Sequence, residues 1–418
     1  MPGAFHFEKL TRYRDRAMTS FIVDDICVTA AEQAEAYRRF SSWVEEAGLK
    51  GETSAILGMQ RDADGRALPP HPAWIAEMAR AQGRHLEFFM ELMTHWTVYD
   101  FARDRLMDGA PHECVWLNDR NRGLEECMGY LGSIVRRGAD LGIRFSGLTQ
   151  PGCGCPACLD FFTRNQLHWD GKELNPRVHE ALLLLAREGR LAGPIAGEFI
   201  GWVPRGPTDL QLLAESGAQA VYDLTPGFPE DRFGSWDNNP DFVRIDEYIS
   251  ADGQGGRMAE LLALGTRTLI YYTHWGCVRP DTGRGFAPFQ EVAARLQRHH
   301  GERIVWMRPT EIAAYRHTER HTQLLPARDG RSFRLSIPFP PLHALSLRVL
   351  GGSGLRLRAP SGSILEPSRQ LPGASGSDFD LLPENGTYTV QTAAGLQSAA
   401  THPIPPQDTP HRPETGES

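Results

Sequence analysis

The chain has 418 residues, of which 41% are hydrophobic and 23% charged, the balance of an ordinary globular protein and not of a disordered or fibrous one. This length exceeds the size at which one hydrophobic core stops growing, so we expect one large domain and a smaller one. The formal net charge of -8 and the scattered arginines offer no basic surface for a phosphate backbone, which excludes nucleic acid as a partner.

The amino-terminal segment, Met1 to Arg16, lacks the apolar core of a signal peptide. No apolar run approaches the roughly 18 to 20 residues that cross a bilayer. We therefore expect no membrane partner and a cytoplasmic location, and the sequence leaves a homo-oligomer open. The number of cysteines is seven, and four of them are isolated in core-like or helical stretches, so a disulfide framework is not expected.

Short β-like runs alternate with helical patterns from Phe21 to about Arg316, as in parallel strands joined by crossover helices. No glycine-rich phosphate loop follows a strand, which favours an α/β fold of the (β/α) barrel type, with seven or eight strands, over an open sheet. The predicted strands are Ser20–Val23, Ser54–Leu57, Glu87–Met93, Ile143–Leu148, Ile195–Ile200, Ala220–Tyr222, Thr268–Tyr272 and Ile304–Met307. The predicted helices are Ala30–Ala47, Ala73–Gln82, Arg122–Leu141, Pro176–Glu188, Asp209–Ser216, Met258–Ala263 and Pro288–His299.

The pattern changes after Arg316, where short alternating strands are separated by Gly, Pro and Ser turns. This predicts a small antiparallel β-sandwich, followed from about Ala400 by a polar, proline-rich tail that we expect to be disordered. The predicted domains are a barrel over 1–318, a sandwich over 319–399 and a tail over 400–418. The sandwich strands are Ser332–Ile337, Ala344–Val349, Leu355–Ala359 and Thr387–Gln391.

The strongest local signal is Ser20–Asp25, in which two acidic residues end an apolar strand. In a parallel α/β barrel the carboxyl ends of the strands form the active-site face. Side chains of adjacent strand residues point in opposite directions, so one aspartate can bind a metal while the other accepts a proton. A helix N-cap is the competing interpretation, since aspartate is favoured there too.

Two further segments place a histidine after an apolar strand. In Glu91–Asp100, His95 could supply an imidazole ligand and Asp100 an oxygen ligand. In Thr268–Gly276, His274 reaches the same face, where an imidazole suits general acid catalysis because its pKa lies near neutrality. For both histidines, a packed and hydrogen-bonded structural role is the alternative.

These segments together resemble the polysaccharide deacetylase family over about Ser20 to Arg316. The family's Thr-Phe-Asp-Asp motif is similar to the stretch ending in Asp24 and Asp25, and the resemblance implies Asp24 as catalytic base and Asp25 as metal ligand. His95 resembles the first histidine of the family's His-Ser/Thr-x-x-His motif.

The chain departs from that second motif because Tyr99 stands where the second histidine belongs. Asp100, one residue later, is the substitute ligand that the sequence offers. The family's late Leu-x-x-His segment is similar to the residues before His274, which implies His274 as general acid. The arginine motif is matched loosely by Arg144 with Gln150-Pro-Gly, and the tryptophan motif by Trp236-Asp237.

The resemblance implies a metal-dependent hydrolase that removes an acetyl or other acyl group from an amino sugar, an oligosaccharide or a related amide. Asp25, His95 and Asp100 would hold a divalent metal, with zinc as the first choice. The substrate would be a carbohydrate or another small acylated compound, whose rings aromatic residues can stack on, although aromatics are also common core fillers. The substrate-binding candidates are Trp96, Tyr99, Arg144, Trp202, Trp236 and Trp275.

Two other functions remain open at this stage. A glycoside hydrolase would need two carboxylates roughly 5 to 9.5 Å apart, for which Glu91 and Glu198 at strand ends are candidates. A catalytically silent carbohydrate-binding protein is the other alternative, because the second histidine is missing.

A separate cluster, Cys153, Cys155 and Cys158, places three thiols within a short turn. Closely spaced thiolates can hold a structural zinc, with His168 or another cysteine as the fourth ligand. The alternatives are a reduced loop or a disulfide within the cluster.

Overall fold

The computed structural model describes residues 4–149, 175–199, 209–224, 233–234, 242–374 and 376–392. The chain forms two compact units. The larger unit comprises Leu10–Thr322 and Ile337–Ser346, and the smaller comprises Met1–Lys9, Gln323–Ser336 and Leu347–Ser418. The smaller unit thus includes residues from the amino terminus, which the sequence assigned to the barrel.

The secondary structure of the described residues is as follows. The strands are β1 His6–Lys9, β2 Ala17–Asp24, β3 Gly51–Ala55, β4 Leu86–Met90, β5 Tyr99–Asp100, β6 Arg105–Leu106, β7 Gly147–Thr149, β8 Ile195–Phe199, β9 Gln211–Ser216, β10 Gln219–Asp223, β11 Thr268–His274, β12 Ile304–Trp306, β13 Gln323–Pro326, β14 Ser332–Ser336, β15 Leu345–Leu350, β16 Arg356–Arg358, β17 Ile364–Leu365, β18 Arg369–Gln370, β19 Gly376–Leu381 and β20 Gly386–Gln391. The helices are α1 Ala31–Glu46, α2 Pro72–Ala81, α3 Glu113–Asn118, α4 Leu124–Asp140, α5 Pro176–Arg187, α6 Ile245–Tyr248, α7 Arg257–Ala263, α8 Trp275–Val278, α9 Phe286–His300 and α10 Pro309–His321.

The larger unit is built on a nine-stranded sheet with the order β11-β2-β3-β4-β7-β8-β10-β9, in which β12 also pairs with β2. Its pairings are parallel except for that of β9 with β10. Strands that follow each other along the chain are mostly neighbours, and the late strand β11 returns to the side of β2, which is the strand order of a barrel. Among the described strands, no pairing of β9 with β11 closes the sheet. The predicted α/β class is confirmed.

The region Asp209–Ser216, predicted as a helix, instead forms β9. Its residues are good helix formers, but a tight turn with Gly217 at φ 62° folds it back antiparallel onto β10. Pairing along the sheet edge therefore outweighs the local helix propensity.

The sheet separates two hydrophobic cores. Successive residues of β2 alternate between them, since Phe21 and Val23 belong to the core shared with the outer helices and Ile22 to the core on the inner face. Helix α10 supplies Ile312 and Tyr315 to the inner core, so it covers that face of the sheet. Packing against α10 thus supports the strands whose carboxyl ends carry the candidate site residues.

The smaller unit contains two sheets whose described pairings are antiparallel, with the orders β1-β15-β19-β18 and β13-β14-β20-β16-β17. Both contribute to one apolar core, in which Phe333 stacks on Tyr388 and contacts Phe7. This is the layered antiparallel arrangement expected of a sandwich, with β1 added from the amino terminus. None of the described helices has both the length and the apolar character needed to cross a bilayer.

Candidate active site

Two neighbouring strands bring Asp24 and His274 together. Strands β2 and β11 run parallel over seven paired residues, and the last pair in the register is Asp24 with His274. Both side chains are buried. They lie at the carboxyl end of the sheet, where the active sites of parallel α/β barrels are found.

The backbone after β2 and β4 adopts a conformation that is unusual for residues other than glycine. Asp25, Leu92 and His95 have φ angles of 64°, 52° and 67°, in the left-handed region. Such residues cost on the order of 1 kcal/mol or more each and concentrate at functional sites, where the surrounding structure enforces them. Two of these three residues, Asp25 and His95, are ones that the sequence predicts to be functional.

Glu113 holds the loop after β4 in this conformation. Its buried carboxylate accepts hydrogen bonds from the backbone amides of Met93 and Thr94, at 3.1 and 2.8 Å, and from the hydroxyls of Thr94 and Tyr130. These bonds satisfy amides that no helix or sheet partner engages. They fix the turn that directs His95 back toward the end of β4.

The turned loop brings three ligand-type side chains together. One ligand atom from each of Asp25, Glu91 and His95 lies within 4.8 Å of the other two. The Nδ1 atom of His95 is 2.8 Å from Oε1 of Glu91 and 3.8 Å from Oδ1 of Asp25. Across the site, Nε2 of His274 is 4.0 Å from Oδ2 of Asp25.

Several of these buried atoms have no hydrogen-bond partner among the described residues. They are Oδ1 of Asp24, Oδ2 of Asp25, Oε1 of Glu91 and Nδ1 of His95. The 2.8 Å approach of His95 to Glu91 does not have the angles of a hydrogen bond, although it is short. Buried polar atoms are costly when unsatisfied, and these four lie close enough together for one bound cation to satisfy several of them.

The donor set fits a divalent metal. Two carboxylates and one imidazole nitrogen are ligands that zinc and similar ions take in catalytic sites, which keep further positions for water and substrate. The other oxygen of Glu91 accepts hydrogen bonds from Ser54 at 2.7 Å and from the amide of Asp25 at 2.9 Å. These bonds orient Oε1 toward the cluster, as supporting residues do around metal ligands.

The electrostatics of the cluster also favour a cation. Burial, followed by the charges of Glu91 and Asp24, raises the pKa of Asp25 well above its usual value, while the charge of His274 opposes the rise. Burial and the charge of Asp24 likewise raise the pKa of Glu91. Three carboxylates in one buried site disfavour each other's ionisation unless a positive charge compensates.

The structure does not bring Asp100 to this cluster. Strand β5, which carries Asp100, pairs with β6 in a separate two-stranded ribbon. There the carboxylate accepts bonds from the amides of Ala102 and Arg103 and from the Arg103 guanidinium at 3.2 Å. The prediction of Asp100 as a ligand beside Asp25 and His95 is therefore corrected, and the carboxylate that lies beside them is that of Glu91.

The predicted aromatic platform is reduced to Trp96 within the described residues. Trp96 is 42% exposed, and its ring centroid lies 5.2 Å from that of His95. By contrast, Trp275 is buried against Tyr37, and Tyr99 is a core residue whose hydroxyl donates to a neighbouring aspartate. The predictions of Trp275 and Tyr99 as substrate-binding residues are corrected, because their rings fill the core.

Arg144 lies at the other end of the sheet. It precedes β7, and its guanidinium donates to the backbone carbonyls of Gly189 and Leu191, both at 2.6 Å. It joins two loops on the amino side of the strands instead of contacting a substrate. Several other predicted residues lie outside the described residues: Trp202, Trp236, Cys153, Cys155, Cys158 and His168.

Glu198 points away from Glu91. Along β8, Ile195 belongs to the inner core and Ala196 to the outer core, so Glu198 faces outward by alternation. There its carboxylate contacts Nδ1 of His179 on α5. The two carboxylates suggested for glycoside cleavage thus do not face a common bond.

Sequence reasoning did not place two residues in this cluster or its support. The sequence suggests Glu91 only as a glycosidase carboxylate, yet Glu91 ends an apolar strand as Asp24 does, and that signal could have placed it beside Asp25 and His95. Glu113 supports the loop from a helix 18 residues beyond His95, and no local pattern reveals that connection.

No protein-family model matches the chain, and a comparison with curated proteins finds no match. Among solved structures, the noncanonic maltogenic α-amylase AmyB from Thermotoga neapolitana is similar at 8% identity, over 89% of this chain and 97% of that one, with a TM-score of 0.29. A γ-CGTase from alkalophilic Bacillus clarkii shares 9% identity over 91% and 71%, with a TM-score of 0.25. An α-amylase from Lactobacillus plantarum shares 9% identity over 92% and 100%, with a TM-score of 0.24. These scores are too low to assign a function.

Proposed function

We propose that this protein is a metal-dependent hydrolase that removes an acyl group from an amino sugar, an oligosaccharide or a related amide, on a barrel of the polysaccharide deacetylase type. The observation that carries the proposal is the convergence of Asp25, Glu91 and His95, whose buried ligand atoms lie within 4.8 Å of one another. The neighbouring positions of Asp24 and His274 supply a base and an acid at the same place.

Asp25, Glu91 and His95 would hold the metal, and zinc is the ion that best suits this mixed oxygen and nitrogen set. When bound, the metal supplies a Lewis acid that lowers the pKa of a water molecule and polarises an acyl carbonyl. Asp25 has a left-handed backbone and its carboxylate lies in the cluster with Glu91 and His95, while the strand directs Asp24 onto the inner face. The adjacent aspartates can therefore play different parts.

Asp24 acts as the general base. Its Oδ1 atom is buried and has no hydrogen-bond partner among the described residues, so this oxygen can accept a proton from the attacking water. As that proton moves to Asp24, the hydroxyl oxygen forms its bond to the acyl carbon. Burial limits competition from bulk water for the same carboxylate.

His274 acts as the general acid. It stands beside Asp24 in the register of the two central strands, so the base and the acid share one end of the sheet. When the carbon–nitrogen bond breaks, the imidazole donates a proton to the departing amine. The products are the free carboxylic acid and the amine, and the proton on Asp24 returns to the imidazole through solvent.

Trp96 is the residue that supports a sugar substrate. Its ring is exposed at the edge of the site beside His95, where an apolar face of a pyranose could stack. A carbohydrate is thus the substrate class that we propose, with the acyl group at the ligand cluster and the ring at Trp96.

The first experiment is elemental analysis of the purified protein beside three variants. Glu91→Gln and His95→Ala should each lose one metal equivalent relative to wild type. Asp100→Asn is the matched control, because it also changes a carboxylate to an amide but lies outside the cluster, and it should keep the metal. Retention of all metal in Glu91→Gln and His95→Ala would refute the metal site.

The activity itself is tested with N-acetylated oligosaccharides. Release of acetate that depends on added zinc and on Asp24 would support the deacetylase reaction. Appearance of new reducing ends without acetate would show cleavage of the glycosidic bond instead and would contradict the proposal.

A further inference from the structure

A second group of ligand-type side chains lies on the larger unit, away from the residues of the proposed active site. Glu215 on β9 and His317 and His321 on α10 each place one ligand atom within 4.8 Å of the other two. The histidines are four residues apart and so share one face of the helix. Nε2 of His321 is 2.9 Å from Oε2 of Glu215.

His317 is held in a fixed orientation. Its ring is fully buried and stacks on Phe339, with centroids 5.0 Å apart and planes 15° from parallel. Its Nδ1 atom lies 3.1 Å from the hydroxyl of Tyr222, and its Nε2 atom lies 2.9 Å from the carbonyl oxygen of Gly217. Because a carbonyl oxygen only accepts, Nε2–H donates to Gly217 and Nδ1 accepts from the Tyr222 hydroxyl. A metal at Nε2 therefore requires the ring proton to move to Nδ1, where the Tyr222 hydroxyl can accept it instead.

We propose that Glu215, His317 and His321 form a second metal site, which binds Zn²⁺ or a similar transition-metal ion and fastens α10 to the edge strand β9. Two imidazoles and a carboxylate favour such ions over Mg²⁺ and Ca²⁺, which prefer all-oxygen sites. The Gly217 carbonyl oxygen lies close enough to contribute a further ligand, and water could fill the remaining coordination positions. Glu215 is exposed, so an ion can enter from solvent.

Two arginines of α10 bring positive charge near this cluster: Arg320, whose charge acts on His317, and Arg316. Arg316, on the same helix, forms ion pairs with Asp209 and Glu319, both at 2.8 Å. Its charge is therefore compensated locally. The competing interpretation is a simple ion pair between a protonated His321 and Glu215, with His317 as a hydrogen-bonded core residue.

The role of this site is structural. Strand β9 is the antiparallel edge of the sheet, and its side chains are half-buried or exposed, with Leu212 packed against one core and Leu213 against the other. A metal bridge to α10 would fix the edge and the helix that covers the inner core. The inference does not depend on the proposed hydrolase activity.

The test uses the full chain in a His95→Ala background, which removes the metal of the proposed active site. The protein is stripped with a chelator and titrated with Zn²⁺ against a chromophoric competitor. We expect His95→Ala with His321→Ala, or with Glu215→Gln, to bind one equivalent less than His95→Ala alone. His95→Ala with His299→Ala is the control, since His299 is an exposed imidazole outside both clusters, and it should keep that equivalent.

Two further readouts distinguish metal binding from the ion pair. Zn²⁺ should raise the Tm of His95→Ala more than that of its double variant with His321→Ala, because each bound ion stabilises only the state that binds it. Tyr222→Phe, which removes the supporting hydroxyl, should weaken binding by about 10-fold or more while keeping the stoichiometry. If His95→Ala and its double variant with His321→Ala bind the same number of zinc ions and show the same Tm shift, the second metal site is refuted. This conclusion holds whether or not the hydrolase activity is found.

Discussion

The two ligand clusters of the larger unit contain the same kinds of side chains in different states. In the cluster of Asp25, Glu91 and His95, buried ligand atoms lack hydrogen-bond partners among the described residues, and the backbone is left-handed at two of the three positions. In the cluster of Glu215 and the two α10 histidines, hydrogen bonds and an ion pair engage the ligand atoms. Buried polar atoms that lack hydrogen-bond partners and lie on strained backbone indicate a catalytic or binding role. Hydrogen-bonded side chains on regular helices and strands indicate a role in stability.

The comparison predicts the largest effect at the ligands of the first cluster. Glu91→Gln and His95→Ala should lower kcat/KM by about 10³-fold or more, since the charge stabilisation of a metal is worth several kcal/mol and each 1.36 kcal/mol is tenfold in rate. His321→Ala should leave kcat/KM within about twofold of wild type. Steady-state kinetics on zinc-saturated protein measures both effects. Equal losses of kcat/KM from substitutions in the two clusters would show that the first cluster has no special role in catalysis.

Asp24→Asn and His274→Ala should retain the metal but reduce kcat by about 10²- to 10⁴-fold, the range for a general base or acid. His274→Ala should matter less for substrates with a good leaving group, which need no protonation, whereas Asp24→Asn should slow all substrates alike. If His274→Ala loses the same factor with every leaving group, His274 is not the acid.

Glu87 provides an internal control for the comparison, because it is buried yet satisfied by the amide and hydroxyl of Thr310. Burial raises its pKa from 4.5 to about 7, against the lowering effect of the Thr310 hydrogen bonds. A raised pKa in the folded state gives stability that is present below pH 4.5 and lost as the pH rises through 7, by about 3 kcal/mol.

In urea unfolding between pH 4.5 and 8, the decline in the free energy of unfolding should therefore be about 3 kcal/mol smaller in Glu87→Gln than in wild type. At fixed pH its kcat should stay close to that of wild type, because Glu87 caps α10 and does not face the ligand cluster. A pH dependence shared by wild type and Glu87→Gln would assign the decline to other groups.

Among the residues of the proposed active site, Trp96→Ala should have the smallest effect. Losing one aromatic stacking contact worth about 0.5 to 1.5 kcal/mol should lower kcat/KM on an oligosaccharide by about 2- to 10-fold. Trp96→Phe should recover most of the loss. The same substitutions should not affect a small acylated substrate that lacks a sugar ring, and a loss there would show that Trp96 supports the His95 loop instead.

Much of the fold was predictable because its strands are apolar runs that end in polar residues. The central strands β2 and β11 carry Asp24 and His274 at their ends, and both were identified from that pattern. The helix predicted over Asp209–Ser216 was wrong because a tight turn and pairing with β10 decide its structure, which local propensity does not express.

The members of the buried cluster were predicted only in part for a similar reason. Asp25 and His95 follow from their strand ends, but the choice between Asp100 and Glu91 depends on the left-handed backbone of His95 and on Glu113. These are long-range effects. A motif match that counts residues forward from His95 finds Asp100, whereas the folded loop turns backward to Glu91.

The central claim is that Asp25, Glu91 and His95 form one metal site. It is tested most directly by an anomalous difference map at the zinc absorption edge from zinc-soaked crystals. We predict a peak bonded to one atom from each of these three residues, with Asp100 outside its coordination sphere. A zinc-saturated crystal with no peak at this position, or with a peak that His95 shares with Asp100 and not with Glu91, would contradict the account.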